Sequence, residues 1–166
     1  GFYILRKNMV QSLGTKDGQT ISGQVGKADS KGLEVDINTR PWQQFNINAG
    51  YTFTVAKLKE YAKNDYAENT QAGNYLNLVP KHMAYGWAFY DFDRSLKGLK
   101  LGVGFNYSSK AYVNTANTLE FEPYAIANAM VGYSFKNWKL QMNINNIFDK
   151  NYYMTSVNTI GFIPEE

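Results

Sequence analysis

The sequence predicts an all-β protein, an antiparallel up-and-down β-barrel that crosses a membrane with its strands. Three observations carry that prediction. Large apolar residues recur at every second position in stretch after stretch, the two-residue period of a strand with one greasy and one wet face. The wet face is built from Asn, Gln, Thr, Ser and Gly with scattered charges, where a soluble sandwich would cover itself with rows of Lys and Glu. The alternating stretches are joined by short connections and long loops in turn, as in a barrel with one trim and one elaborate rim.

Composition supports this and excludes other classes. The 166 residues suffice for one domain with a real core and do not require two. Aromatics make up 16%, with 13 Tyr and 10 Phe, so much of the apolar surface comes as rings, which suit strands and membrane interfaces. A net charge of +3, from 17 basic and 14 acidic residues without a basic stripe, does not point to nucleic acid. The absence of Cys excludes disulfides, thiolate metal sites and cysteine nucleophiles, and a single His, His82, leaves little scope for an imidazole metal site. No run approaches the roughly 18 apolar residues of a transmembrane helix.

Taken in order, residues 2–10 read as a strand, and residues 11–19, holding Gly14 and Asp17-Gly18, as the turn after it. A long extended segment follows, with Leu33, Val35, Ile37 and Thr39 on one face and Gly32, Glu34, Asp36 and Asn38 on the other. Arg40-Pro41 is expected to break it. The cleanest alternation comes next: Phe45, Ile47, Ala49, Tyr51, Phe53 and Val55 against Gln44, Asn46, Asn48, Gly50, Thr52 and Thr54. Residues 57–74 have no sustained period and read as a long loop. Beyond Asn77-Leu78-Val79-Pro80, Met83, Tyr85, Trp87 and Phe89 form the bulky face, opposite His82, Ala84, Gly86 and Ala88.

After a polar turn at residues 91–98, Leu99, Leu101, Val103, Phe105 and Tyr107 alternate with Lys100, Gly102, Gly104, Asn106 and Ser108. A second loop, residues 109–122, leads to Ala125, Ala127, Ala129, Val131, Tyr133 and Phe135. That Ala-rich run would also tolerate a helix, but the short Lys136-Asn137 turn favours a hairpin. Its partner carries Trp138, Leu140, Met142 and Ile144 against Lys139, Gln141 and Asn143, and runs into an Asn/Asp-rich turn before Tyr152-Tyr153. The total is about seven strands and the start of an eighth. The polar faces suit a hydrated lumen, and rings near strand ends (Tyr51, Phe53, Trp87, Phe105, Tyr107, Tyr133 and Trp138) suit the interfacial girdles of such a barrel.

No motif supports catalysis. Gly102-Val103-Gly104 lacks the following glycine and helix of a dinucleotide fingerprint, and reads as relief of crowding on a curved strand. His82 reads as an interfacial or hydrogen-bonded histidine, and Glu34 and Asp36 as wall carboxylates facing Lys or Arg, not as an acid/base pair. Asn106-Tyr107-Ser108 is a glycosylation sequon that would be idle in a bacterial envelope. The expectation is no enzyme, no cofactor and no metal centre. The candidates for ligand contact are the loop tyrosines Tyr61, Tyr66, Tyr75 and Tyr112, since Tyr offers a ring and a hydroxyl at low entropic cost.

The segment Asn145-Asn146-Ile147-Phe148-Asp149-Lys150-Asn151-Tyr152-Tyr153 resembles the Asn-Leu-Phe-Asp-Lys-x-Tyr-Tyr segment near the C-terminus of TonB-dependent outer-membrane receptors, especially those for ferric siderophores. Lys31-Gly32-Leu33-Glu34-Val35, Gly50-Tyr51-Thr52-Phe53 and Val79-Pro80-Lys81-His82 are similar to further segments of that family. The resemblance implies a barrel of about 22 strands, a plug domain filling it, and energised uptake through TonB. Neither plug nor TonB box is recognised in residues 1–166, so the chain is expected to be a C-terminal portion of one barrel domain. The expected partners are outer-membrane lipid, a ferric siderophore or related small ligand, and TonB acting through a plug outside these residues. The alternative is a complete small outer-membrane barrel of roughly eight strands with a structural or adhesion role, whose last strand would pair with its first. A soluble lipocalin-like barrel for a small apolar ligand is a third reading.

Overall fold

The computed structural model describes residues 1–16, 19–60, 71–156 and 162–164. In chain order its strands are β1 (Phe2–Lys16), β2 (Gln19–Trp42), β3 (Phe45–Glu60), β4 (His82–Asp91), β5 (Leu99–Ser108), β6 (Ala111–Tyr112), β7 (Glu120–Phe121), β8 (Tyr124–Phe135), β9 (Trp138–Ile144), β10 (Tyr153–Ser156) and β11 (Phe162–Pro164). Seven of them form one antiparallel sheet in the order β1-β2-β3-β4-β5-β8-β9. The short strands pair among themselves, β6 with β7 and β10 with β11.

Alternation, period and turn chemistry account for most of this. Short connections link β2 to β3, β4 to β5 and β8 to β9, all at one end of the sheet. At the β4–β5 turn, Gly98 has φ +98°, a backbone that side chains resist, and its carbonyl accepts a 2.8 Å hydrogen bond from Ser134 N of β8. Among the described residues, 71–81 and 109–123 lie at the other end. Among the described residues β9 does not pair with β1, and β1 begins opposite Gly32, leaving Leu33 to Trp42 of β2 without a partner on that side. The seven-stranded sheet of the described residues is thus open at both edges and does not close on itself as a small complete barrel would.

Several expectations are corrected. β1 runs on to Lys16, and Gly14 marks a register shift within it; Asp17 and Gly18 lie outside the described residues. Arg40-Pro41 does not break β2, which continues to Trp42 and turns at Gln43 and Gln44. Pro41 sits where the pairing with β3 slips, between Thr39 and Trp42, so its missing N–H costs the ladder nothing. β3 extends to Glu60, into the stretch expected to be loop, whereas β4 starts at His82, where the entry after Pro80-Lys81 is expected.

The largest correction concerns the faces of β4. Register places Ala84, Gly86 and Ala88 beside Tyr51, Ala49 and Ile47 of β3 and beside Tyr107, Phe105 and Val103 of β5, on the greasy face. Met83, Tyr85, Trp87 and Phe89 therefore lie on the polar face with Thr52, Gly50, Asn48 and Asn46, and Trp87 is no part of an outer girdle. The greasy face is otherwise continuous and exposed: Val35, Ile37, Val103, Phe105, Val131, Leu140 and Met142 all stand free on it. Its lower border holds Trp42, Tyr90, Phe135 and Trp138, and its upper border Tyr51, Phe53 and Tyr107. Phe53 and Phe45 lie about 26 Å apart along β3, which matches the apolar band of roughly 25 Å on membrane barrels. The compact core is small and lies on the polar side above this band, where Leu76 covers Ala28 and fully buried Leu58.

Candidate functional site: inner wall and outer rim

Two regions gather candidate side chains. The first is the polar face of the wall, organised by β4. Here each ring lies over a glycine of a neighbouring strand: Tyr85 over Gly50, Trp87 over Gly104 and Phe89 over Gly102. Trp87 and Phe89 stack at 5.4 Å with 5° between their planes, and Lys100 Nζ stands 5.0 Å from the Phe89 ring. The Tyr85 hydroxyl donates to Asp36 Oδ1 at 3.0 Å, so this carboxylate meets a phenol instead of the cation expected. Lower down, Asp91 takes a hydrogen bond from Asn46 Nδ2 at 3.2 Å and an ion pair from Lys100 at 3.5 Å. The result is an aromatic ridge flanked by satisfied polar groups, suited to contacting a polar, partly aromatic solute.

The second region is the loop-bearing rim. Tyr75 pairs with Lys57 beyond the end of β4, and its backbone N and O are both held by the Asn117 side chain, at 2.7 and 2.9 Å. Lys57 is in phase with Tyr51, Phe53 and Val55, so Tyr75 points to the greasy side of the wall. Tyr112 stacks on it at 5.8 Å, bringing two of the candidate tyrosines together. Tyr61 and Tyr66 lie outside the described residues. The ammonium groups of Lys81 and Lys57 approach the Tyr75 ring centroid to 4.1 and 4.6 Å. Hydrogen bonding with Lys81, helped by the charges of both lysines, holds the Tyr75 phenol below its ordinary pKa. Lys110 pairs with Glu120 at 2.8 Å, which lowers the carboxyl's pKa and raises the ammonium's. Tyr75, Lys81, His82, Lys110, Tyr112 and Glu120 surround a cleft of about 160 Å³. His82 itself is hydrogen-bonded, through Nδ1 to the Tyr51 hydroxyl at 2.8 Å, as expected of an interfacial histidine.

Sequence reasoning missed two residues that matter here. Asn117 fixes the Tyr75 backbone, and Asn128, buried on the polar face of β8, accepts from Asn146 N at 3.0 Å and anchors the Asn146–Lys150 turn. In that turn Asn146 is left-handed, with φ 50°, and its side chain bonds both N and O of Lys150 at 3.0 Å. Among the described residues no group of three His, Asp or Glu side chains could hold a metal ion.

Comparison with known proteins decides the family. The model of the TonB dependent receptor-like β-barrel matches residues 1–147. The chain belongs to this family. Relatives of this chain include the ferrichrome outer membrane transporter/phage receptor of Escherichia coli strain K12, 32% identical over 151 residues, and a probable TonB-dependent siderophore receptor, PiuA, of Acinetobacter baumannii, 34% identical over 140 residues. These matches cover 87% and 81% of the chain but only 19% and 18% of the relatives, so it spans about a fifth of their length. The crystal structure of the siderophore receptor PiuA superposes with a TM-score of 0.73 at 26% identity, covering 98% of this chain and 23% of that one. The seven-stranded sheet is thus a segment of a bacterial outer-membrane barrel wall, its greasy face to lipid and its polar face to the lumen. The relatives are named as transporters and receptors, not enzymes.

Proposed function

We propose that this chain is the C-terminal part of the barrel wall of a receptor that carries a ferric siderophore, or a comparable small nutrient complex, across the outer membrane with energy drawn from TonB through a plug domain outside these residues. The observation that carries the proposal is the ridge of Tyr85, Trp87 and Phe89, rings turned from lipid toward the lumen, within a wall whose relatives are named as siderophore receptors. The wall supplies contact and confinement. Of its carboxylates, Asp36 is engaged by Tyr85 and Asp91 by Asn46 and Lys100, so these two orient their neighbours. Tyr61 and Tyr66 belong to the same proposal as cargo contacts, whereas Tyr75 and Tyr112 open to the other side of the wall.

The test is uptake of radioactive iron by the source bacterium under iron limitation, with a panel of hydroxamate and catecholate siderophores. Deleting the gene is expected to abolish uptake of one class, and deleting TonB to do the same. Unchanged uptake of every chelate would refute the reading.

A further inference from the structure

We infer that two adjacent turns at the short-turn end of the wall, residues 93–98 and 136–137, bind the phosphate head group of an anionic phospholipid of the inner leaflet. Short turns of outer-membrane barrels face the periplasm, which puts this end at the level of the inner leaflet's head groups. Two independent features meet there. The first is unmatched charge. At the other end of the wall lysines are paired with carboxylates: Lys27 with Glu60 at 2.6 Å, Lys59 with Asp29 at 3.1 Å and Lys110 with Glu120 at 2.8 Å. At the short-turn end only Lys100 is so paired among the described residues, with Asp91 at 3.5 Å. Arg94, Lys97 and Lys136 are exposed and none of them has an ion-pair partner among the described residues. Asp93, which accepts from Gln44 Nε2 at 3.2 Å, is the single carboxylate of the two turns and leaves them with an excess of positive charge. The turns are held side by side, since Gly98 O accepts from Ser134 N at 2.8 Å and a Cβ at Gly98 would run into Ser134 O. Lys97 and Lys136 flank that junction in sequence, and a phosphate takes several such donors at once.

The second feature is the apolar surface beside these cations. Leu96 in the first turn, and Phe135 and Trp138 on either side of the second, are all exposed at the lower border of the greasy face. Lys136 Nζ lies 5.2 Å from the centroid of the Phe135 ring. A ring at the border with an ammonium beside it suits the boundary of a leaflet, the ring among acyl chains and the charge among head groups. A soluble anion would use the cations and leave Leu96, Phe135 and Trp138 in water; a lipid uses both. The inference rests on the outer-membrane placement of the sheet and not on which cargo is carried.

The test uses the receptor containing this segment, purified from outer membranes in mild detergent and offered phosphatidylglycerol and zwitterionic phosphatidylcholine in equal amounts. Lipid retained per protein is counted by mass spectrometry for the native receptor, for K97Q/K136Q and for K27Q/K110Q, which removes two lysines from the other end. The native receptor should retain the anionic lipid in preference, a result that does not depend on a variant folding. K97Q/K136Q should lose about thirtyfold in that retention, at roughly fivefold per charge, whereas K27Q/K110Q should keep it. Equal retention of the two lipids by the native receptor, an equal loss in both double variants, or displacement of the lipid by matched glycerol phosphate would each overturn the site. The second of these would show a mere effect of net charge, and the last a site for soluble anions.

Discussion

Adding one methyl group at Gly104 tests the ridge directly. A Cβ there would lie 2.5 Å from Trp87 Cδ2 and Cε2 and 2.9 Å from Cε3, well inside the roughly 3.5 Å of a comfortable carbon contact. The indole cannot simply slide away. It is stacked on Phe89, whose own ring lies so close to Gly102 that a Cβ there would sit 2.7 Å from Phe89 Cδ1, with Lys100 near its face. Overpacking of this kind costs about 1–3 kcal/mol. Replacing a strand glycine by alanine otherwise gains about 0.5–1 kcal/mol from reduced chain entropy, so the net effect of Gly104→Ala should be a loss of roughly 1–2 kcal/mol. In a Trp87→Ala background the clash vanishes and the same change should be neutral or stabilising. The assay is the urea midpoint of the membrane-reconstituted receptor, followed by the mobility shift of folded barrels on gels, over the four members of the cycle. The same cost in both backgrounds would show that Trp87 does not cover Gly104.

Three further outcomes are expected. Asn146→Ala, which removes two bonds to Lys150 and places alanine at φ 50°, should cost about 1–3 kcal/mol, whereas Phe148→Ala should cost little because that ring is 80% exposed in the chain; yields of folded receptor should rank accordingly. Asn117→Ala should free the Tyr75 backbone, seen as faster amide exchange of residues 74–76 with no change at β5. Tyr75 should ionise below the ordinary 10.0, and Lys81→Gln should move its tyrosinate absorbance back up in pH. Because the folded-state value is the depressed one, the contribution of this contact is present above the unfolded value and lost as pH falls through the folded one.

Much of the wall was legible because period and turn chemistry are local. The alternations of β3, β5 and β9 each carry one unmistakably polar side, so face and strand could be read together. β4 offered no such side: Met83, Tyr85, Trp87 and Phe89 alternate with Ala84, Gly86 and Ala88, and alternation tells which residues share a face but not which face that is. Register settles it, through the pairing of Ala84 with Tyr51 and Tyr107. A signal was present in the glycines at positions 50, 102 and 104, all on otherwise polar faces, which make room for rings arriving from a neighbour. Pro41 misled because a breaker is harmless where pairing already slips. The Tyr75–Tyr112 stack and the Asn117 clamp were illegible, since they join loops more than 30 residues apart with no period to align them.

The ring-over-glycine arrangement also constrains how this wall can evolve. Positions 50 and 85, 104 and 87, and 102 and 89 share single volumes, so neither member of a pair can drift alone. A homologue that gains a side chain at position 104 must shrink the residue at position 87 in the same lineage, and one that moves its bulk to the lipid side of β4 has no further use for the three glycines. The ridge is therefore sterically coupled as a unit of six positions spread over three strands.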